Sequence, residues 1–356
     1  MQRQKKIAKN NTTELDIIKS IDKYEYHIAQ LKAKLSIMDS KKRSGNVYNQ
    51  EKDDKWAMYH GDCIEVIQGL SNESIHYSIF SPPFLSLYVY SDSLEDMGNS
   101  KTDEQFYTHF SFLIPELLRV LKPGRLISVH CSLVPMTMQH EGIIGLKDLP
   151  GHIVRLFQKF GFIYHSKVMI WKDPLIQATR TKMLTLAHKQ ISKDSTRCAQ
   201  GFADEILTFR KPGENPEPVE HGRGFEQYIG ELSEPRHPKK DDPRINKYSH
   251  HVWQRYASPV WFDISQTDTL NYQAAREDKD ERHICPLQLQ VIARCLELWT
   301  NKGDIVLSPF AGIGSEGFEA VRMGRKFIGI ELKESYYKTA IKNLKSAEQQ
   351  KGGCLL

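Results

Sequence analysis

The chain alternates short apolar runs with amphipathic stretches over most of its length and loses that rhythm once. Residues 12–40 place Leu15, Ile18, Ile21, Ile28, Leu31 and Leu35 at roughly helical spacing, with Thr13 and Asp16 set to cap the start. The pattern predicts an amphipathic helix, either a short coiled coil or a helix lying on its own domain. The polar stretch KKRSGNVYNQEKDDK (41–55) reads as a linker. Strands are expected at 56–65, ending near Gly61-Asp62, and at 76–80, halted by Ser81-Pro82-Pro83-Phe84. A helix over 103–121 should stop before Lys122-Pro123-Gly124, because proline excludes helix at the residue before it. A strand at 125–131, a helix at 151–160 closing on Gly161, and a strand at 162–171 follow.

Residues 174–275 break the pattern. They are rich in Pro, Gly, charge and aromatics, and most of this stretch reads as an irregular insertion. After 281 the alternation returns: a helix at 286–300, the strand GDIVLSPF, a glycine turn, a helix at 315–323, the strand RKFIGIEL and a last helix at 333–348. No internal repeat is present. Alternating strands and helices define an α/β fold.

Composition narrows the class without naming it. Hydrophobic content of 40% and charged content of 26% are ordinary for a soluble protein, and no apolar run reaches the roughly 18 residues a spanning helix needs. The start MQRQKKIAKN lacks an apolar secretory segment, and the end GGCLL does not fit a four-residue prenylation box. Six cysteines without ligand spacing fit reduced thiols and no metal site, so a cytoplasmic location is expected. The net charge is +5, and residues 167–211 hold nine Lys/Arg against four Asp/Glu, a local bias that weakly favours a polyanionic partner.

Two short motifs carry chemistry. In SPFAGIGSEGFEA (308–320), Gly312, Gly314 and Gly317 follow an apolar strand and precede a helix opening at Ser315, and Glu331 ends the next strand. Glycines admit close backbone approach, the helix start offers free N–H groups, and a carboxylate at a strand tip suits ribose hydroxyls. Two cofactors fit this turn. NAD would lay its pyrophosphate on the helix start; S-adenosylmethionine carries a sulfonium that suits an aromatic neighbour such as Phe310. The second motif, Ser81-Pro82-Pro83-Phe84, sits at the carboxyl end of an apolar strand, where open α/β sheets place ligands. Prolines stiffen the turn and leave carbonyls as acceptors. If Ser81 Oγ and the Pro82 carbonyl accept both hydrogens of a base's exocyclic amino group, its nitrogen becomes tetrahedral and nucleophilic. Phe84 can stack on the extruded base. No Pro-Cys dipeptide of the kind used for C5-cytosine methylation is present; Cys285-Pro286 has the reverse order.

With SPPF at 81–84, FAGIG at 310–314 and GIEL at 329–332, in that order, the sequence resembles the exocyclic-amino DNA methyltransferases of the permuted "beta" order. The resemblance spans about 56–345, apart from the recognition region. It implies a circularly permuted Rossmann-like sheet, mostly parallel with one antiparallel strand, plus an irregular target-recognition insertion. It divides the chain into a helical and linker segment (1–55), a catalytic half (56–175), a target-recognition region (176–275), a cofactor half (276–348) and a tail (349–356). It implies S-adenosyl-L-methionine as cofactor and catalytic roles for Ser81, Pro82, Pro83 and Phe84. Cofactor contacts would come from Phe310, Gly312, Gly314, Ser315 and Glu331, and from Asp62 toward the adenine. The segment ERHICPLQLQV would hold the methionine end, through His283 or Pro286. Arg180, Lys182, Lys189, Lys193 and Arg197 are candidates for phosphate contacts on double-stranded DNA. Other lone His and Cys residues read as core or surface. A serine in the first motif position leans toward N4-cytosine over N6-adenine. A homodimer and a companion restriction enzyme stay open. Competing readings are an RNA or protein amino-methyltransferase, which usually has the opposite motif order, an NAD-dependent oxidoreductase, which leaves SPPF idle, and a non-catalytic DNA-binding protein, which leaves the cofactor turn idle.

Overall fold

The computed structural model describes residues 47–85, 97–100, 102–136, 138–181, 188–232, 246–271 and 286–350. All of them belong to the unit Gly45–Leu356. The helix expected at 12–40 lies outside the described residues.

A nine-stranded sheet organises the chain. Its strands are β1 (Val47–Lys52), β2 (Trp56–Gly61), β3 (Ile75–Phe80), β4 (Leu121–Ser132), β7 (Ile163–Ile170), β8 (Asp204–Arg210), β9 (Val260–Trp261), β10 (Ile305–Ser308) and β11 (Lys326–Glu331); β5 (Val134–Met136) and β6 (Gly145–Lys147) form a small separate ribbon. The spatial order is β1-β2-β11-β10-β3-β4-β8-β7-β9. Pairing is parallel from β2 through β11, β10 and β3 to β4. β8 runs against both β4 and β7, and β1 runs against β2. The sheet is therefore Rossmann-like and mostly parallel. The single antiparallel strand expected from the sequence is β8, and β1 adds a second at the edge.

Consecutive strand residues supply opposite faces, as the two-residue period requires. Phe80, Leu307 and Leu207 pack in one core and their neighbours Ile79, Val306 and Ile206 in the other. Helices α1 (Cys63–Gln68), α2 (Asp103–Val120) and α3 (Leu149–Lys159) cover the first core. In α2, Phe106, Phe110, Leu113, Ile114 and Leu117 recur at helical spacing and are buried, and Thr102 Oγ1 caps the first turn by accepting from Gln105 N at 3.2 Å. Outside that layer, α4 (Pro174–Thr181) precedes β8, and α5 (Lys247–Tyr256) lies between β8 and β9 along the chain. The second core is closed by α6 (Leu289–Trp299), α7 (Ser315–Arg322) and α8 (Glu334–Gln350).

Two expectations are corrected. Residues 47–52, read as linker, form strand β1; its sequence VYNQEK is exposed almost throughout, so an edge strand here carries no apolar alternation to read. The stretch 174–275 is not irregular throughout. Residues 204–210 form β8, buried between β4 and β7, with Ile206, Leu207 and Phe209 fully covered. No described helix is long and apolar enough to cross a membrane.

A buried ion pair fastens the loops around α5 to α6. Arg294 donates to both Asp263 carboxylate oxygens at 2.9 and 3.0 Å, donates to the Ile229 carbonyl, and lies 4.8 Å from the rings of Tyr256 and Trp261. Both charges are fully withdrawn from water. Replacing Arg294 by Met strands the Asp263 charge, so unfolding free energy should fall by about 3–5 kcal/mol, read from the urea unfolding midpoint.

Candidate active site

The glycine turn joins β10 to α7 and is fixed from two sides. Ala311 N donates to Ile330 O at 2.9 Å, and Asn343 Nδ2 of α8 donates to Ile313 O at 2.8 Å. Glu331, at the tip of β11, accepts from Gly312 N at 2.7 Å through one oxygen and from Lys333 N at 2.9 Å through the other. Gly312 and Gly317 have different reasons to be there. A Cβ on Gly312, at φ +53°, would meet nothing within 4 Å, so its openness faces space a ligand can fill. A Cβ on Gly317 would sit 2.5 Å from the Phe327 ring, so that glycine exists for helix–strand packing. The buried hydroxyls of Ser308 and Ser315 have no hydrogen-bond partner among the described residues. Two orphaned hydroxyls, a held carboxylate and an open glycine fit a polyhydroxylated ligand of nucleoside type. The Phe310 ring packs on Phe80 and Phe110, with centroids 5.7 and 6.5 Å apart.

Asp62 follows β2 and caps α1, its Oδ1 accepting from Ile64 N and Glu65 N at 2.9 and 3.0 Å. Next to it, burial and the charges of Asp62 and Glu331 hold the Cys63 thiol well above its usual range. Pro286 is half-buried just ahead of α6; because α6 leads into β10, its start lies at the same carboxyl edge. Gln288 Oε1, at the cap position of α6, is buried without a hydrogen-bond partner among the described residues. His283 lies outside the described residues.

Ser81-Pro82-Pro83-Phe84 leaves the end of β3, the strand beside β10. The chain runs from β10 to one side of the sheet and from β3 to the other, so the two motifs flank a topological switch point. The Phe80–Phe310 contact joins them directly. Pro82 and Pro83 are buried. The Pro83 carbonyl accepts from Leu85 N at 3.1 Å, whereas the Pro82 carbonyl accepts no hydrogen bond among the described residues. Ser81 Oγ lies 2.8 Å from His130 Nδ1, and the Phe84 and His130 rings are 6.0 Å apart. His130 Nε2 is 3.0 Å from Asp204 Oδ2, which Lys172 Nζ approaches to 2.6 Å. Burial alone would raise the Asp204 carboxyl, but the hydrogen bond and charge of His130 with the charge of Lys172 outweigh it and hold the carboxyl at about 2.

His130 and Asp204 were missed in the sequence. His130 was one of the lone histidines read as core or surface, and Asp204 fell inside the stretch taken as mostly irregular. One signal was present: His130 ends an apolar strand, RLISVHC, at the carboxyl edge where sites collect.

Of the cation candidates, Lys189, Lys193 and Arg197 are exposed on the segment between α4 and β8 that leads into Asp204. The Arg180 side chain and Lys182 lie outside the described part of the chain. A cavity of about 160 Å³ lies elsewhere, toward the opposite end of β4 and β8, lined by Arg125, His165 and Arg210 among others. Arg125 is already committed to Asp304 and His76 O, so this cavity offers no unspent chemistry.

A three-layer fold with two motifs meeting at one switch point defines an α/β protein with its ligand site at the carboxyl edge of the sheet. The chain belongs to the N6/N4 DNA methylase family, whose model matches residues 75–342. It is 22% identical over 276 residues to the Type II methyltransferase M.BamHI of Bacillus amyloliquefaciens, covering 77% of this chain but only 54% of that protein, about half its length. The Type II methyltransferase M.BglI of Bacillus subtilis is 21% identical over 82% of this chain and 86% of its own. Among solved structures, a putative DNA modification methylase of Thermus thermophilus complexed with S-adenosyl-L-methionine superposes with TM-score 0.54 at 21% identity over 82% of this chain and 95% of that one. The cytosine-N4-specific PvuII DNA methyltransferase gives TM-score 0.54 at 16% identity, covering 86% and 96%.

Glu316, buried in the first turn of α7, carries a pH signature. Burial and the nearby Glu331 raise its carboxyl from 4.5 to about 8. Between those values the unfolded chain has lost a proton that the folded protein keeps, so stability falls as pH rises from about 4.5 to about 8 and levels off above. Glu316→Gln removes this slope. The melting-temperature difference between variant and wild type should grow in the variant's favour across that interval.

Proposed function

We propose that this protein is an S-adenosyl-L-methionine-dependent DNA amino-methyltransferase. The observation that carries the reading is the meeting of Ser81-Pro82 with the Gly312–Glu331 turn across the Phe80–Phe310 contact. Ser81 Oγ and the Pro82 carbonyl accept the two hydrogens of an exocyclic amino group, drawing its nitrogen toward tetrahedral geometry and localising its lone pair. Phe84 stacks on the flipped base. On the other side of the contact, Gly312 and Gly314 form the backbone cradle, Glu331 takes ribose hydroxyls, Ser315 lines the helix start, Asp62 faces the adenine side, and Pro286 or His283 borders the methionine end. Phe310 shapes the floor of this cradle. The bound cofactor supplies an electrophilic methyl group, and its sulfur keeps the electron pair of the broken bond. Carboxylates at Asp62 and Glu331 favour a cationic ligand over the pyrophosphate of NAD, which supports this choice between the two cofactors.

Serine at the first motif position favours N4 of cytosine. Residues 176–275 outside β8 form the target-recognition region in this reading, with Lys189, Lys193 and Arg197 on phosphates and Arg180 and Lys182 joining them. The Type II designation of the relatives carries over as the proposal that a companion restriction enzyme exists.

Purified protein should move labelled methyl from S-adenosylmethionine to duplex DNA, with N4-methylcytosine in the digested product. N6-methyladenine would reverse the base assignment, and preference for RNA would move the activity to another substrate. Ser81→Ala should cut the single-turnover rate by about 100-fold, with unchanged melting temperature. Duplex affinity should fall steeply with salt, and neutralising Lys189, Lys193 and Arg197 together should reduce the log–log slope by about 3.

A further inference from the structure

We propose that His130 and Asp204 form a proton relay behind Ser81, in which His130 orients the Ser81 hydroxyl as an acceptor toward the base and then takes the proton that methylation releases. The inference rests on the function proposed above, and its parts all lie in the hydrogen-bond geometry. Asp204 is ionised and paired with Lys172, so it only accepts. His130 Nε2 must then carry the hydrogen of that 3.0 Å bond. A neutral imidazole has one N–H, so Nδ1 is bare and only accepts. Ser81 must therefore donate its hydroxyl hydrogen to Nδ1 across 2.8 Å. Both Ser81 lone pairs are left for the substrate, and the hydroxyl cannot rotate to donate to the base. A serine thus acquires the acceptor-only character that a carboxylate would have in the same place.

The same path carries the proton out. As the nitrogen lone pair forms the new N–C bond, one N–H bond breaks. Its proton passes to Ser81 Oγ while the original Ser81 proton passes to His130 Nδ1. The ring becomes an imidazolium beside the Asp204 carboxylate and later returns the proton to solvent. No charge is left on the product, and no oxidant or metal is required.

The surroundings of His130 are specific. From the SPPF turn it meets Ser81 and Phe84, and from β8 it meets Asp204, with Lys172 reaching Asp204 from beyond β7. The next charged pair, Lys167 with Glu205 at 3.3 Å, belongs to the opposite face of β8, because Asp204 and Glu205 are consecutive strand residues. The His130 side chain is 9% exposed, and its whole acceptor capacity is spent on Ser81. A packing histidine would need neither the ordered tautomer nor the alignment with a motif hydroxyl. His130 and Asp204 act through Ser81 and are positioning residues.

The test has one arm that does not need the reaction. Nitrogen-15 NMR of the wild-type imidazoles should show His130 as the Nε2–H tautomer, and Asp204→Asn should abolish that preference. A His130 ring in the opposite tautomer, or indifferent to Asp204→Asn, overturns the relay whatever the activity. The second arm uses single-turnover methyl transfer. In His130→Gln the rate should drop about 100-fold, with affinity for duplex DNA and for S-adenosylhomocysteine within twofold of wild type. In Asp204→Asn the rate should fall as well, because the tautomer that leaves Nδ1 bare is no longer held. Methylation at the wild-type rate in both variants would sink the relay and leave the proposed function intact. Absence of methyl transfer from wild type to any nucleic acid, with the tautomer as expected, would instead sink the proposed function and the relay's catalytic part with it.

Discussion

The pairing of β10 with β3 is the constraint on which the site depends. It sets Val306 beside Tyr77 and Leu307 beside Ser78, and Ser78 Oγ adds a bond of 2.8 Å to the Leu307 carbonyl across 229 residues of chain. Closing so long a loop costs entropy, though the cost grows only logarithmically with length. It is met by burial: Tyr77, Ile79, Val306 and Leu307 are all withdrawn from water at this seam. Because the two strands are parallel and adjacent, their carboxyl ends emerge together, and the chain leaves them toward opposite sides of the sheet. A cleft between SPPF and the glycine turn is the geometric consequence.

The cleft has two chemically unlike walls. On the β10–β11 side the groups are oxygen acceptors and hydroxyls: Glu331 held by two backbone N–H groups, Asp62 capping α1, and the hydroxyls of Ser308 and Ser315, unpartnered among the described residues. On the β3–β4 side they are aromatic and imidazole rings around one hydroxyl, from Phe80, Phe84 and His130. The first wall suits a polar, positively charged ligand, and the second suits a planar one. Neither wall forms from a contiguous segment.

Antiparallel β8 gives the second wall its charge. All the parallel strands bring carboxyl ends to this edge; a reversed strand brings its amino end, so Asp204 arrives beside Ser132 and two positions from His130. β7 ends at the same edge and delivers Lys172 to Asp204. The reversal of one strand thus places an ion pair behind a histidine that the parallel strands alone would leave unpaired.

Local sequence determined what local physics controls. The glycine turn, the proline-stiffened SPPF, and most strands and helices were legible, because apolar periodicity and special backbone residues act over a few positions. The motif order also placed the glycine turn beside strands far earlier in the chain. Three things were not legible. β1 is polar and exposed, so no period marks it. β8 is a short run of five buried residues inside a charged, proline-rich stretch, and its membership in the sheet depends on partners in β4 and β7 far along the chain, such as Ser128 with Thr208, 80 residues apart. His130 and Asp204 looked unremarkable apart, being 74 residues distant in sequence and joined only by a hydrogen bond across two antiparallel strands. Sequence carried the residues that bend and stiffen the backbone; tertiary structure alone decided which side chains share a proton, because that depends on strand order and direction rather than on neighbours along the chain.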